Sequence, residues 1–366
     1  MRYIAQFSRV LVGIVFIFSG LIKLNDPVGT EIKLEEYFDV FATDFVWSAG
    51  FWHSLVPYAL FISVFMCALE VILGVALLVS YRLKFTSWVL LAMVIYFAFL
   101  TFYSAYYNKV TDCGCFGETI KLKPWTSFWK DIILMFFILI ILWQRKIFSQ
   151  PKTGWIVGLT TVLCVVLGIY AIRHLPPYDG LPYAVGQNIQ NNMKPSEALK
   201  FKYIYEKNGE KVELETMPTD TSYHFKELIT LNQDAAKAKI TDYNIWKDGD
   251  STDYKAESFT GNKLMIIVPV ISKVDFSNIS KIRDLANSLN GSAVTVWLLS
   301  SSSDEEVNNF RHSHQLAFPQ LSADIKVLKT ISRSSPGIWL LKDGTVKGKW
   351  SHNDTPTKDE VLEKLK

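Results

Sequence analysis

Five long apolar runs fill the first 175 residues, and nothing comparable follows them. They are Ile4–Leu24, Ser54–Ser80, Phe85–Ala105, Ser127–Trp143 and Gly154–Ile172. Each approaches or exceeds the roughly 20 residues a helix needs to cross the hydrocarbon core. Because the runs are apolar all round, they do not read as amphipathic helices of a soluble bundle. The first is too long for a signal-peptide core, lacks a small-x-small cleavage site and precedes further spans, so it reads as retained. The net charge of +3 divides into +4 for residues 1–174 and −1 for 175–366. A near-neutral second half of mixed charge offers no electrostatic footprint for nucleic acid.

The short loops set the expected orientation. Tyr81-Arg82-Leu83-Lys84 is basic without an acid, as is the stretch holding Arg145, Lys146 and Lys152. The loop after the first span carries Asp26, Glu31, Glu35, Glu36, Asp39 and Asp44 against Lys33 alone. Basic loops stay cytoplasmic, and Arg2 and Arg9 place the N-terminus there too. Five crossings then put the acidic loop, the loop after span three and everything beyond Arg173 outside.

The loop after span three holds Asp112-Cys113-Gly114-Cys115-Phe116-Gly117. Outside the cytoplasm a disulfide is chemically expected. A bridge between cysteines one residue apart closes a very small, strained ring, and such disulfides exchange readily. Cys113 and Cys115 are therefore the candidate catalytic pair. Three other readings stand beside this one: packed thiols, bridges elsewhere, and a soft-metal site, the last poor with only two ligands. Cys67 and Cys164 fall inside spans and read as small apolar residues.

Glu70 lies within the second span, where a carboxyl group is costly and faces a partner, a cavity or a path. Arg9 is one partner it could have, while Lys23 lies nearer the outer face and can snorkel to it. Tyr96, Tyr103, Tyr106, Tyr107, Trp125 and Trp129 read as an interfacial aromatic belt. Turnover of a redox pair needs an electron source or sink, either a quinone or another protein, and no quinone motif is visible.

Residues 176–239 read as a linker (Tyr178–Pro195) and a hairpin, Phe201–Glu206 with Lys211–Thr216 about Asn208-Gly209. Thr219–Gly261 is polar and without a clear pattern. Beyond it, Leu264–Val268 and Ala293–Leu299 read as buried strands and Phe276–Leu289 as a helix. Ser303-x-x-Glu306 is a capping box. Gly337–Leu341 and Val346–Trp350 form a second hairpin, and Lys358–Lys366 a last helix. This alternation argues for an α/β sandwich over 240–366. His224, His312, His314 and His352 read as lone surface histidines.

Two resemblances follow from these residues. Ser19-Gly20-Leu21-Ile22-Lys23-Leu24, Glu70 with Gly74, and Cys-Gly-Cys-Phe-Gly after span three resemble the DoxX family, more narrowly its MauE-type members. That resemblance covers about residues 1–148. It implies a four-helix membrane domain tied to periplasmic thiol-disulfide chemistry, with Cys113 and Cys115 as the matching residues. The order of elements after residue 240, with Ser335-Pro336-Gly337 before the hairpin, resembles a thioredoxin-like domain of the TlpA or peroxiredoxin type. Pro336 matches the proline that is cis in that fold. Where that family carries Cys-x-x-Cys, this chain has Pro269-Val270-Ile271-Ser272-Lys273, and no cysteine follows Cys164. Dithiol exchange in this domain is thereby excluded.

The expected fold is an α-helical multi-pass membrane bundle, four DoxX-like helices (1–148) plus a fifth span (149–175), followed by a C-terminal α/β thioredoxin-like soluble domain. The expected setting is a bacterial inner membrane with the C-terminal domain outside the cytoplasm. The expected function is thiol-disulfide exchange or electron relay through Cys113 and Cys115, acting on an extracytoplasmic protein client or a soluble oxidoreductase. A non-enzymatic scaffold or maturation factor recruiting partners near Pro336 is the alternative. Solute transport through Glu70 has little support without an internal repeat.

Overall fold

The computed structural model describes residues 2–110, 117, 122–148, 153–207, 209–220, 222–232 and 236–366. It separates into two compact units, Met1–Leu181 with Trp350–Asp354, and Pro182–Lys349 with Thr355–Lys366.

The first unit contains the helices α1 (Arg2–Asn25), α2 (Pro27–Asp44), α3 (Ala49–Leu55), α4 (Ala59–Leu78), α5 (Leu83–Tyr107), α6 (Pro124–Trp143) and α7 (Gly154–Arg173). Among the described residues five segments are long and apolar enough to cross a membrane: α1, Val46–Leu78, α5, α6 and α7. Lipid-facing positions such as Phe7, Ile14, Phe65, Phe85, Phe136 and Val162 are exposed, as an all-round apolar helix in a bilayer requires.

Small residues bring α1 and α4 together. A Cβ built on Gly20 would stand 2.9 Å from the Cys67 carbonyl oxygen and from Glu70 Cβ. One on Gly74 would stand 2.9 Å from the Gly13 carbonyl oxygen. Backbones that approach so closely gain dispersion contacts where lipid offers no hydrophobic drive. Val12, Phe16, Leu73, Leu77, Leu90, Val94, Leu134 and Ile138 fill the space among α1, α4, α5 and α6.

The two ends of the bundle differ in charge. At one end Arg9 donates to Ser80 and lies over the Phe148 ring, near the loops that hold Arg82, Arg145 and Lys146. The other end carries α2, in the stretch read from sequence as a loop. Asp26 caps α2 by accepting from the Gly29 amide (3.0 Å), and Pro27 supplies its first turn. Leu34, Tyr37, Phe38 and Phe41 follow at helical spacing and are buried against α4, α5 and the residues between α2 and α4. The acidic residues between them obscured this periodicity.

The second unit is α/β. A three-stranded antiparallel sheet has the order β2-β1-β3, with β1 (Phe201–Lys207), β2 (Glu210–Leu214) and β3 (His224–Thr230). The first two match the expected hairpin; Asn208 of its turn lies outside the described residues. β3 falls in the stretch left unassigned from sequence.

The second sheet is six-stranded, in the order β4-β7-β6-β5-β8-β9. Its strands are β4 (Ile245–Trp246), β5 (Asn262–Val268), β6 (Val294–Ser300), β7 (Gln320–Ala323), β8 (Gly337–Lys342) and β9 (Thr345–Ser351). β5, β6 and β7 run parallel, and β8 pairs antiparallel with β5. Every residue from Leu264 to Val268 is buried, so both faces of the sheet are covered. Met265, Ile267, Trp297, Leu299, Trp339 and Leu341 share one face with Tyr243, Val327 and Ile331. Each such large side chain contributes about 1.5–3 kcal/mol on leaving water.

Helices α8 (Ile189–Asn192) and α9 (Tyr254–Glu257) precede β5, and α10 (Ile279–Ser288), α11 (Asp304–His314), α12 (Ile325–Ile331) and α13 (Lys358–Lys364) complete the unit. The capping box expected at Ser303 and Glu306 opens α11, and Thr357 with Glu360 forms a second at α13. Tyr183 and Ile189, in the stretch read as a linker, are core residues of this unit. Burying them offsets the entropy of ordering that segment.

Candidate functional site

The first unit holds a cavity of about 80 Å³ among α1, α2, α4, α5 and α6. Its polar focus is Glu70, 2% exposed and midway along α4. Lys23 from α1 forms an ion pair with Glu70 Oε1, and Ser19, one turn earlier, donates to Glu70 Oε2 at 2.9 Å. Residues four apart on a helix share a face, and Gly20 between them lets α1 approach closely enough for both contacts. Lys23 Nζ also lies 4.9 Å from the centre of the Phe97 ring.

Two sequence expectations are corrected here. Arg9 does not reach Glu70; it pairs with Ser80 at the other end of the bundle. Lys23 does not snorkel to the surface; it turns inward and is 6% exposed. A carboxylate in this environment costs several kcal/mol unless paired and hydrogen-bonded, and Lys23 and Ser19 supply both.

A second acid, Asp131 of α6, was missed from sequence. It is 1% exposed, pairs with Lys130 at 2.9 Å and accepts from Thr101 Oγ1 at 3.4 Å. The signal was present as the Lys130-Asp131 dipeptide inside the fourth apolar run. Above it Tyr37 and Ser104 hydrogen-bond at 2.7 Å. Tyr103, read as part of an interfacial belt, is buried and donates to Asp44 at the end of α2, which also pairs with Lys109. Lys109 and then Tyr103 hold the Asp44 carboxyl below its ordinary range.

Cys113 and Cys115 lie outside the described residues. Gly117, two positions after Cys115, is buried with φ +64° at the C-terminal end of α1; a Cβ built on it would stand 3.4 Å from Ile22 Cγ2. Ile22 precedes Lys23. Cys67 lines the cavity, with its sulfur 3.9 Å from Thr30 Oγ1, and packs in one apolar cluster with Cys164.

In the second unit the Ser335–Pro336 bond is cis. The Asp275 amide donates to the Ser335 carbonyl at 2.9 Å, which ties the segment after β5 to the proline loop. Ser334 Oγ donates to the Pro336 carbonyl at 2.6 Å. A Cβ on Gly337 would fall 1.9 Å from Ser332 Oγ, so only glycine fits there. His314 stacks on Phe276 (5.2 Å) and His352 is buried, so neither is the lone surface histidine read from sequence. Among the described residues no three His, Cys, Asp or Glu side chains gather as metal ligands.

This architecture defines a multi-pass membrane protein with a C-terminal α/β domain. The family described as "Methylamine utilisation protein MauE" matches residues 1–144. A curated relative, "Protein TlpB" of Flavobacterium psychrophilum, is 24% identical over 177 residues. That match covers 46% of this chain and 44% of the relative, so the chain spans less than half of the relative's length.

Proposed function

We propose that the protein is a thiol-disulfide exchange or electron-relay protein of a bacterial inner membrane, with Cys113 and Cys115 as its reactive pair. The observation that carries this reading is the seating of Gly117 beside Ile22. It brings the end of the Cys-Gly-Cys-Phe-Gly stretch to the turn of α1 that supplies the partner of Glu70. The sequence resemblance and the match of residues 1–144 to the MauE family support it. The basic residues at one end of the bundle and the acids of α2 at the other support a cytoplasmic N-terminus.

In the exchange, a client thiolate attacks one sulfur of a Cys113–Cys115 disulfide, whose S–S bond breaks to release the other cysteine as thiolate. A second client thiolate then attacks the client sulfur of the mixed disulfide, which forms the client's disulfide, breaks the bond to the protein and leaves Cys113 and Cys115 reduced. Reoxidation passes two electrons to a second protein or to a membrane quinone.

The C-terminal domain is read as thioredoxin-like. The parallel β5-β6 pair, the antiparallel β5-β8 pair with β9 beside it, and the cis Ser335–Pro336 bond support this. Lacking cysteine, it would dock a client or partner near Pro336 without reacting. The test is to express Cys113→Ser and Cys115→Ser chains and separate their adducts on non-reducing gels. Reductant-sensitive adducts from one variant and not from the double variant are expected. No adduct from either variant sinks the reading and leaves a scaffold recruiting partners through the outer domain.

A further inference from the structure

We propose that the segment Val46–Tyr58, between α2 and α4, is inserted in the headgroup boundary of the bilayer, with Trp47 and Phe51 as its lipid anchors. The proposal rests on the bundle spanning a membrane and uses no property of Cys113 or Cys115.

Length is the first observation. The apolar segment Val46–Leu78 holds 33 residues, which as one straight helix would run about 50 Å. The hydrocarbon core is about 30 Å thick, and α4, with 20 residues, is long enough to span it alone. The surplus does not continue α4 as one helix. It is divided into a 3₁₀ turn (Val46–Ser48), α3 and a second 3₁₀ turn (Val56–Tyr58) that contains Pro57. Proline lacks the amide that would carry the hydrogen-bond ladder from α3 into α4.

Contacts set the depth. Trp52 of α3 packs on Phe41 of α2 at 4.9 Å, and Phe41 packs on Tyr103 of α5 at 5.1 Å. α3 therefore lies level with the last turns of α5. At that end of the bundle Tyr106, Tyr107, Trp125 and Trp129 are exposed, as in the aromatic girdle of a membrane–water interface.

Side-chain chemistry selects the occupant. Val46–Tyr58 contains no Asp, Glu, Lys or Arg. Trp52, Leu55 and Val56 pack against Leu34 and Phe38 of α2. Val46, Trp47 (89% exposed) and Phe51 are left uncovered. The exposed row continues at helical spacing through Tyr58 and Phe61 to Phe65, one of the lipid-facing positions of α4. A protein partner covering the whole row would have to displace lipid from α4. Lipid accepts it directly, because indole and phenyl rings partition into the headgroup and upper acyl region. With no lysine or arginine in the segment, insertion needs no anionic lipid.

The test uses the full chain with its four native cysteines changed to serine, in phosphatidylcholine vesicles. Trp47→Cys and, separately, Phe51→Cys carry a bimane fluorophore. A nitroxide near the lipid headgroup should quench both at least twofold more than a nitroxide near the acyl-chain end, and more than aqueous iodide. Ile133→Cys, midway along the lipid-facing side of α6, should show the reverse order of the two nitroxides. Stronger quenching by iodide places the segment in water, and stronger quenching by the chain-end nitroxide places it in the core. Protection from all three places a protein partner or a second copy over it. Each of these results overturns the proposal. Should the cysteine-free chain fail to fold, p-benzoylphenylalanine in place of Phe51, in the chain with its cysteines intact, decides the matter. Photo-adducts with phospholipid are expected, and cross-links to protein or no adduct would overturn the proposal.

Discussion

Lys23 and Glu70 form an ion pair buried between α1 and α4, at 7% and 2% side-chain exposure. The pair sits beside the contact where Gly20 allows the two backbones a close approach. It therefore links helix packing to the polar lining of the cavity. Breaking either partner alone leaves a buried unpaired charge, whereas removing both charges leaves none.

The first prediction follows from that asymmetry. Lys23→Met should cost about 3–5 kcal/mol, the range for orphaning one member of a buried pair. The double variant Lys23→Met with Glu70→Gln should recover much of that loss. Denaturant or thermal unfolding of the detergent-solubilised proteins measures both, and equal losses for single and double variants would contradict the pairing.

Close packing at glycine gives a second expectation. Gly20→Val forces a side chain into the Cys67 carbonyl and Glu70, and overpacking of this kind costs about 1–3 kcal/mol or more. Gly158, with nothing within 4 Å of a built Cβ, is the control. Gly158→Ala should leave Tm within a degree or two, while Gly20→Val lowers it clearly.

Asp44 makes stability depend on pH. Its carboxyl is held below the ordinary carboxylate value by Lys109 and Tyr103, so the folded state binds this proton less readily than the unfolded chain. The contribution is fully present above the unfolded value near about 4 and is lost as pH falls through the lower folded value. The Tm difference between the native protein and Asp44→Asn should be constant from neutral pH down to about 5 and shrink below about 4. A difference that grows on acidification would contradict the assignment.

In the α/β domain, Ser303 satisfies the Glu306 amide and Glu306 reaches back to Ser303. Ser303→Ala should cost about 1 kcal/mol, the usual loss for a helix N-cap. Ser303→Gly should cost only a few tenths, and chemical denaturation separates the two.

The spans were legible because length and apolarity alone specify a membrane helix; four of them recur within three residues of their expected limits, and the second, expected over Ser54–Ser80, covers Val46–Leu78. Glu70 was legible as an intramembrane acid, but its partner was not. Sequence distance from the cytoplasmic end favoured Arg9, whereas the helical spacing of Ser19 and Lys23 about Gly20 sets the face that meets α4. Asp131 was hidden by the apolar run around it, and α2 by its alternating acids. Short elements such as β7 and α12, four and seven residues long, carry too little periodicity to stand out; their pairing with β6 and their place in the core determine them. The capping box at Ser303 was readable because its signal is local. The burial of Tyr183 and Ile189 was not, because their partners Tyr243 and Trp339 lie far along the chain.

The most direct measurement is differential alkylation of Cys113 and Cys115 in intact cells with a membrane-impermeant maleimide, before and after a mild reductant. The account predicts that both resist labelling until reduction and then label without lysis, as a redox-active pair on the outer face must. Free labelling of both thiols without reductant, together with full function of their serine variants, would contradict it.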